Sequence, residues 1–127
     1  NKKHPFSKRK KITLDDYLSL SHIHISKDQQ VLGHVDTALN ELGLTRRIAL
    51  RAQHFLVAPY ILEKSELAIT TIKSFTKGRN FKILPLPFEV NPLVLHLYWH
   101  SNKDQDPSNK WMRELILSTY GKIQGKR

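Results

Sequence analysis

No cysteine occurs in the 127 residues, which removes disulfide frameworks and all thiolate chemistry: no redox dithiol, no cysteine nucleophile and no cysteine-held metal. Long apolar runs are missing as well. The longest, such as residues 55–62, fall far short of the roughly 20 residues that a membrane-spanning helix requires. No signal-peptide pattern opens the chain. A soluble, cytoplasmic protein with no membrane partner is therefore expected. The chain also lacks a Gly-x-Ser-x-Gly elbow, a P-loop, a Gly-x-Gly-x-x-Gly fingerprint and a zincin helix. Carboxylate pairs are few, and Asp15-Asp16 belongs to a helix start. Neither catalysis nor a cofactor is expected.

Acidic residues are the scarcer charge: 11 Asp and Glu face 21 Lys and Arg, for a net charge of +10. That excess is local. Lys2, Lys3, Lys8, Arg9, Lys10 and Lys11 account for six of the ten excess charges, so the remaining residues carry only +4. A basic run of this kind contacts phosphate non-specifically, and its plainer reading is a solvated connecting loop. Phe6 alone supplies an aromatic among these cations, too little for a stacking platform on single-stranded nucleic acid.

Local signals divide the chain into alternating elements. Thr13 is a plausible N-cap, with Asp15 and Asp16 in a first turn that the helix dipole favours and a helix end near Leu20. Residues 22–26 alternate in the manner of a strand. Over residues 30–42 the apolar Val31, Val35, Ala38, Leu39 and Leu42 recur at three and four, and Gly43 sits where a left-handed cap belongs. Residues 46–52 read as a strand. The next helix, ending near Lys64, tolerates Pro59 only in its first turn and so starts near Val57. The β-branched run 67–72 predicts a buried strand, and a short helix through Phe75 stops at Gly78. Two further strands are expected over 81–86 and 93–100, joined by a link containing Pro87 and Pro92. Asp106-Pro107 provides an N-cap and a first-turn proline for a last helix, whose stripe of Trp111, Leu115, Ile116 and Tyr120 reads as buried. Trp99 and Trp111 read as core-packing residues.

Strands alternating with helices imply an α/β fold, a mostly parallel sheet flanked by helices. Ligands of such sheets bind beyond the carboxyl ends of the strands. The candidate positions are Ser26 and Lys27 after the first strand, Gln53, His54 and Phe55 after the second, and Thr70 and Thr71 after the third. His22 and His24 would share one strand face, and His96 and His100 lie on a later strand. With no carboxylate or cysteine completing a ligand spacing, these read as satisfied or solvated histidines, and no metal site is expected.

A succession of motifs goes further. The stretch PLPFEVNPLVLHLYWHSNKDQDPSNKWMRELI, residues 85–116, joins a strand ending in Trp99-His100 to a polar loop and a helix carrying Trp111, Arg113 and Ile116. Upstream, His4-Pro5 precedes ITLDDYLSLSHIHIS, then VDTALNELGLTRRIAL, then HFLVAPYILEKSELAIT. Taken in order over nearly the whole chain, these resemble the effector-binding domain of bacterial LysR-type transcriptional regulators. One departure is Lys73, which follows Ile72 where that family commonly has a proline.

The resemblance implies a type II periplasmic-binding-protein-like lobe within an incomplete two-lobed domain. On it, residues 1–20 connect from the first lobe, 21–102 form the second lobe, and 103–127 form the C-terminal helix returning to the first. DNA would be read by an N-terminal winged helix-turn-helix absent from this chain, whose first residue is Asn1. With the opening strands of the first lobe also absent, the last helix is expected to expose some of Trp111, Leu115 and Ile116. A small-molecule effector would lie between the lobes: Gln53 and His54 hydrogen-bonding it, Phe55 packing on its apolar part, Thr71 donating a hydroxyl, and Ser26 and Thr70 nearby. A homodimer or homotetramer is implied, with His34, Thr37 and Arg51 at the two-fold contact. A type II solute-binding protein of a transport system shares the fold and is the alternative.

Overall fold

The structure, a computed structural model, describes residues 4–26 and 32–124, with side chains as far as residue 121. It divides into two compact units, Asn1–Pro92 and Leu93–Arg127.

In the first unit, helix α1 (Leu14–Ser19) starts as its sequence predicts. The Asp16 N–H donates to Thr13 Oγ1 at 3.1 Å, and the Thr13 N–H donates to Asp16 Oδ2 at 3.0 Å. This reciprocal box satisfies two amides that the helix itself cannot. It also fixes α1 so that Tyr17 is buried ahead of strand β1 (Ser21–Ile25). His22, Ile23 and His24 are buried in succession, as expected of a central strand covered on both faces. Strands β2 (Arg47–Ala52) and β3 (Ala68–Ile69) flank β1 in parallel, in the order β2-β1-β3. The α/β class with a parallel sheet is thus realised. The β1–β2 register runs Ser21↔Arg47, His22↔Ile48, then Ile23↔Leu50, so Ala49 is an extra residue in β2.

Helix α2 (His34–Glu41) buries Leu39 and closes as its glycine demands. Gly43 has φ 70°, and the Leu44 N–H turns back to Leu39 O at 2.9 Å. The expected helix over 30–42 is shorter at its start: Gln30 and Val31 lie outside the described residues, and Gly33 is the N-cap. Helix α3 (Ala58–Lys64) follows a 3-10 turn, Phe55–Val57, and carries Pro59 in its first turn. Tyr17, Ile23, Leu39, Ala58 and Leu62 make the apolar core.

Three readings need correction. The strand expected over 67–72 contracts to Ala68–Ile69, half-buried rather than buried, and Lys73–Thr76 is a 3-10 turn before Gly78 at φ 71°. Residues 81–86 and 93–100 form no strand. Their β-branched and aromatic content suits a strand, but a strand exists only where a neighbour accepts its ladder. Pro85, Pro87 and Pro92 also remove donors around these segments.

The third correction concerns the second unit. Helix α4 (Pro107–Gln124) begins as predicted, Asp106 Oδ1 accepting the Asn109 N–H at 3.0 Å. Its stripe is exposed rather than buried, Trp111 at 60% and Leu115 at 44%. Exposure of Trp111, Leu115 and Ile116 was the expectation drawn from the resemblance. Trp99 is no core residue either: Arg113 lies 4.5 Å above its ring, and its Nε1–H donates to Asp104 at 3.0 Å.

Burial separates residues that carry the fold from those that do not. Leu39→Ala, at a site with no solvent exposure, should lower unfolding free energy by about 2–5 kcal/mol. Trp111→Ala should change it by under about 0.5 kcal/mol. Urea titration followed by circular dichroism measures both, and equal costs would refute this division.

Candidate functional site: the carboxyl edge of the sheet

Because β1, β2 and β3 are parallel and adjacent, their carboxyl ends lie on one edge of the sheet. The predicted site residues follow directly. Ser26 continues β1, half-buried, its N–H donating to Ala52 O at 3.0 Å, which ties it to the end of β2. Gln53 and His54 are exposed, and His54 O accepts the Val57 N–H at 3.4 Å to start the 3-10 turn. Phe55 is half exposed, its ring 5.6 Å from that of Phe75. Thr70 and Thr71 are half-buried beyond β3. Lys27 lies outside the described residues. Of the residues assigned to a subunit contact, His34 and Thr37 are exposed on α2, and Arg51 is exposed on β2, paired in register with His24.

Beneath this edge runs a buried polar chain. Arg46, with 4% of its side chain exposed, grips Asp36 with two bonds, Nε to Oδ1 at 2.7 Å and Nη2 to Oδ2 at 2.9 Å. Its Nη1–H donates to Tyr17 Oη at 3.3 Å. Tyr17 Oη is 2.8 Å from Thr70 Oγ1. A guanidinium can only donate, so the phenol oxygen accepts from Arg46; the single proton between Tyr17 Oη and Thr70 Oγ1 can come from either hydroxyl. When Tyr17 supplies it, the Thr70 hydroxyl keeps its own proton for another acceptor. His24 Nδ1 lies 3.4 Å from both Arg46 Nη2 and Asp36 Oδ2. Gly33 is where the chain passes closest: a Cβ there would stand 2.9 Å from His24 Cε1.

The two buried histidines differ in partner. His22 Nε2 donates to Tyr17 O at 2.9 Å, while its Nδ1 is buried without a hydrogen-bond partner. His24 Nε2 and Thr71 Oγ1 are also buried without a hydrogen-bond partner. Among the described residues no group of three or more His, Asp or Glu gathers to hold a metal. Burial lowers the pKa of His22 and His24; Arg46 depresses both further, and Asp36 opposes. For Asp36, burial would raise the pKa, but the bonds and charge of Arg46 outweigh it and hold the carboxyl below its ordinary value.

Tyr17, Asp36 and Arg46 escaped the sequence reading. Asp36 resembles a first-turn acid and Arg46 a residue ahead of a strand. Ten residues apart, they meet only because α2 folds back on the sheet.

The LysR substrate binding domain family matches residues 1–121. The chain belongs to that family. This LysR domain is 26% identical over 123 residues to the HTH-type transcriptional activator NahR of Pseudomonas putida, covering 94% of the chain and 41% of NahR. It is 27% identical to the HTH-type transcriptional activator NagR of a Ralstonia species over 94% of the chain and 40% of NagR. Nodulation protein D 2 of Rhizobium tropici is 29% identical over 83% of the chain and 35% of that protein. The LysR domain thus spans less than half the length of these relatives, which are transcriptional regulators rather than enzymes by name where a role is stated. The crystal structure of a candidate transcriptional regulator from Vibrio parahaemolyticus superposes with a TM-score of 0.78 at 26% identity, over 100% of this chain and 61% of that one. Among the described residues, no helix of the LysR domain is long and apolar enough to cross a membrane.

The histidines make stability pH-dependent. Their folded-state pKa values lie below the ordinary 6.5, so the unfolded chain binds protons first as pH falls. Stability should be fully present above pH 6.5 and decline below it. Urea midpoints at pH 7.5 and 5.5 test this: the wild type should lose stability between them, and His22→Gln with His24→Gln should lose less. A flat profile would contradict the assignment.

Proposed function

We propose that this LysR domain is the ligand-sensing lobe of a bacterial transcriptional regulator. A small molecule bound between two lobes would be held by Ser26, Gln53, His54, Phe55, Thr70 and Thr71. The observation that carries this reading is the convergence of those residues on the carboxyl edge of three adjacent parallel strands. In open α/β sheets that edge presents loops and unpaired polar groups to ligands. The HTH-type names of NahR and NagR support the regulatory half. A transport-type solute-binding role draws no support from them.

In this reading residues 1–20 connect from a first lobe, 21–102 form the sensing lobe and 103–127 return to the first. DNA is read by a winged helix-turn-helix elsewhere in the protein, in the cytoplasm. The effector favours one arrangement of lobes and subunits, and the resulting coupling to operator binding is typically ~1–3 kcal/mol. The chain performs no catalysis. His54 is the discriminating residue because it is exposed and makes no cap with its side chain. In the whole regulator, His54→Ala should raise the effector concentration needed for half-maximal response by about tenfold, the worth of one good hydrogen bond to a charged or polar group. Operator affinity without effector, measured by gel shift, should be unchanged. Equal effector sensitivity in both proteins would move the site elsewhere.

Assembly through α2 and β2 completes the proposal. A two-fold contact must be self-complementary, and His34, Thr37 and Arg51 offer an exposed, mixed polar face beside small Gly33. Thr37→Arg in the whole regulator should reduce the dimer or tetramer mass seen by light scattering. An unchanged oligomer would remove these residues from the interface.

A further inference from the structure

The first unit contains a cavity of about 560 Å³, within the roughly 300–1,000 Å³ common for small-ligand sites. It lies against β3 and reaches well beyond the predicted residues, of which it shares only Thr70 and Thr71. Two stretches distant in sequence form its walls: the N-terminal segment with Phe6 and Ile12, and the later one with Phe75 and Phe81. Most of its surface is apolar, with Leu62 and Ile69 at its back.

Charge gives the cavity a preference. Both wall segments are free of acid: residues 4–14 carry Lys8, Arg9, Lys10 and Lys11, outside the lining itself, and residues 67–88 carry Lys73, Lys77, Arg79 and Lys82 with no Asp or Glu. Lys73 and Lys82 line the cavity itself, and no acidic residue does. Asp15 and Asp16 follow the N-terminal wall in sequence, Asp16 paired with Arg9 at 2.6 Å, and Glu66 lies beside His4 outside the lining. Inside, Thr70 Oγ1 is 2.8 Å from Tyr17 Oη, and with the Tyr17 proton between them the Thr70 hydroxyl donates its own. The lysines of the lining are thus not countered by any acidic residue within it.

We infer that the cavity takes a small organic acid, its apolar body against Phe6, Phe75 and Phe81 and its carboxylate met by Lys73, Lys82 and the Thr70 hydroxyl. This deepens the sensing role proposed above and rests on it for the claim that the ligand is a signal. An apolar wall favours any oily molecule of suitable size; the lysines favour the anion. Lys73 and Lys82 are exposed at the rim, so replacing them leaves the core intact.

Octanoate and its neutral counterpart 1-octanol are the probes, titrated into the protein by calorimetry. Octanoate should bind at least about tenfold more tightly, as expected where charge-assisted hydrogen bonds are gained. The double variant Lys73→Gln, Lys82→Gln should lose that preference while binding octanol as before, with an unchanged circular dichroism spectrum. Equal affinity for the two probes overturns the inference. So does a preference that survives in the double variant, or a cavity filled by another segment of the protein. Lysine-dependent octanoate binding that leaves operator binding of the whole regulator unaltered would sink the sensing role and leave the ligand class standing. A His54-dependent response with no preference for the acid would do the reverse.

Discussion

The bidentate pair between Arg46 and Asp36 is the constraint on which the first unit turns. Both groups are largely withdrawn from water, and a buried charge is tolerable only while its partner stays in place. Removing one member of such a pair typically costs about 3–5 kcal/mol, a large part of the roughly 5–15 kcal/mol by which a domain is stable. The pair fastens the first turn of α2 to the start of β2. Through Tyr17 it extends to α1 and to Thr70 beyond β3. Opposite edges of the sheet are therefore held by one chain of four side chains. Gly33 makes this possible at its tightest point, because any larger residue would press on His24. A disturbance at the carboxyl edge near Thr70 has a physical route to α2 that passes through hydrogen bonds rather than through loops.

Elements with local causes were legible in the sequence. The Thr13 cap, the three- and four-residue spacing before Gly43, the first-turn place of Pro59 and the Asp106-Pro107 start each depend on residues within a few positions of one another, and each is present. The carboxyl-edge residues were legible for a different reason: parallel order alone places strand ends together. What failed were features that need a distant partner. Residues 81–86 and 93–100 have the composition of strands but no ladder beside them. The face of α4 has the spacing of a buried stripe, yet spacing cannot say whether anything covers it.

The polar interior and the cavity were illegible for the same physical reason. Asp36 and Arg46 each look like ordinary surface charge, and nothing periodic announces that they will meet. His22 and His24 could be assigned to one strand face, but not to a buried one, since that depends on β1 becoming central. The cavity is bounded by residues some seventy positions apart in sequence, such as Phe6 and Phe81. Its basic character comes from Lys73 and Lys82, which in the sequence look like ordinary surface lysines.

The extra residue in β2 sets reach. With Ala49 looped out of register, His24 stands opposite Arg51 and Ile25 opposite Ala52. A regular ladder would instead place Leu50 and Arg51 there and carry Ala52 up to the level of Ser26. The slip therefore withdraws Gln53 and His54 by one residue relative to the neighbouring strand, about 3.3 Å along its axis. Insertion or deletion of a single residue in this strand would slide the turn after it, with Gln53 and His54, along the sheet edge without changing any side chain in it, so the depth of that edge is set by the backbone independently of its chemistry.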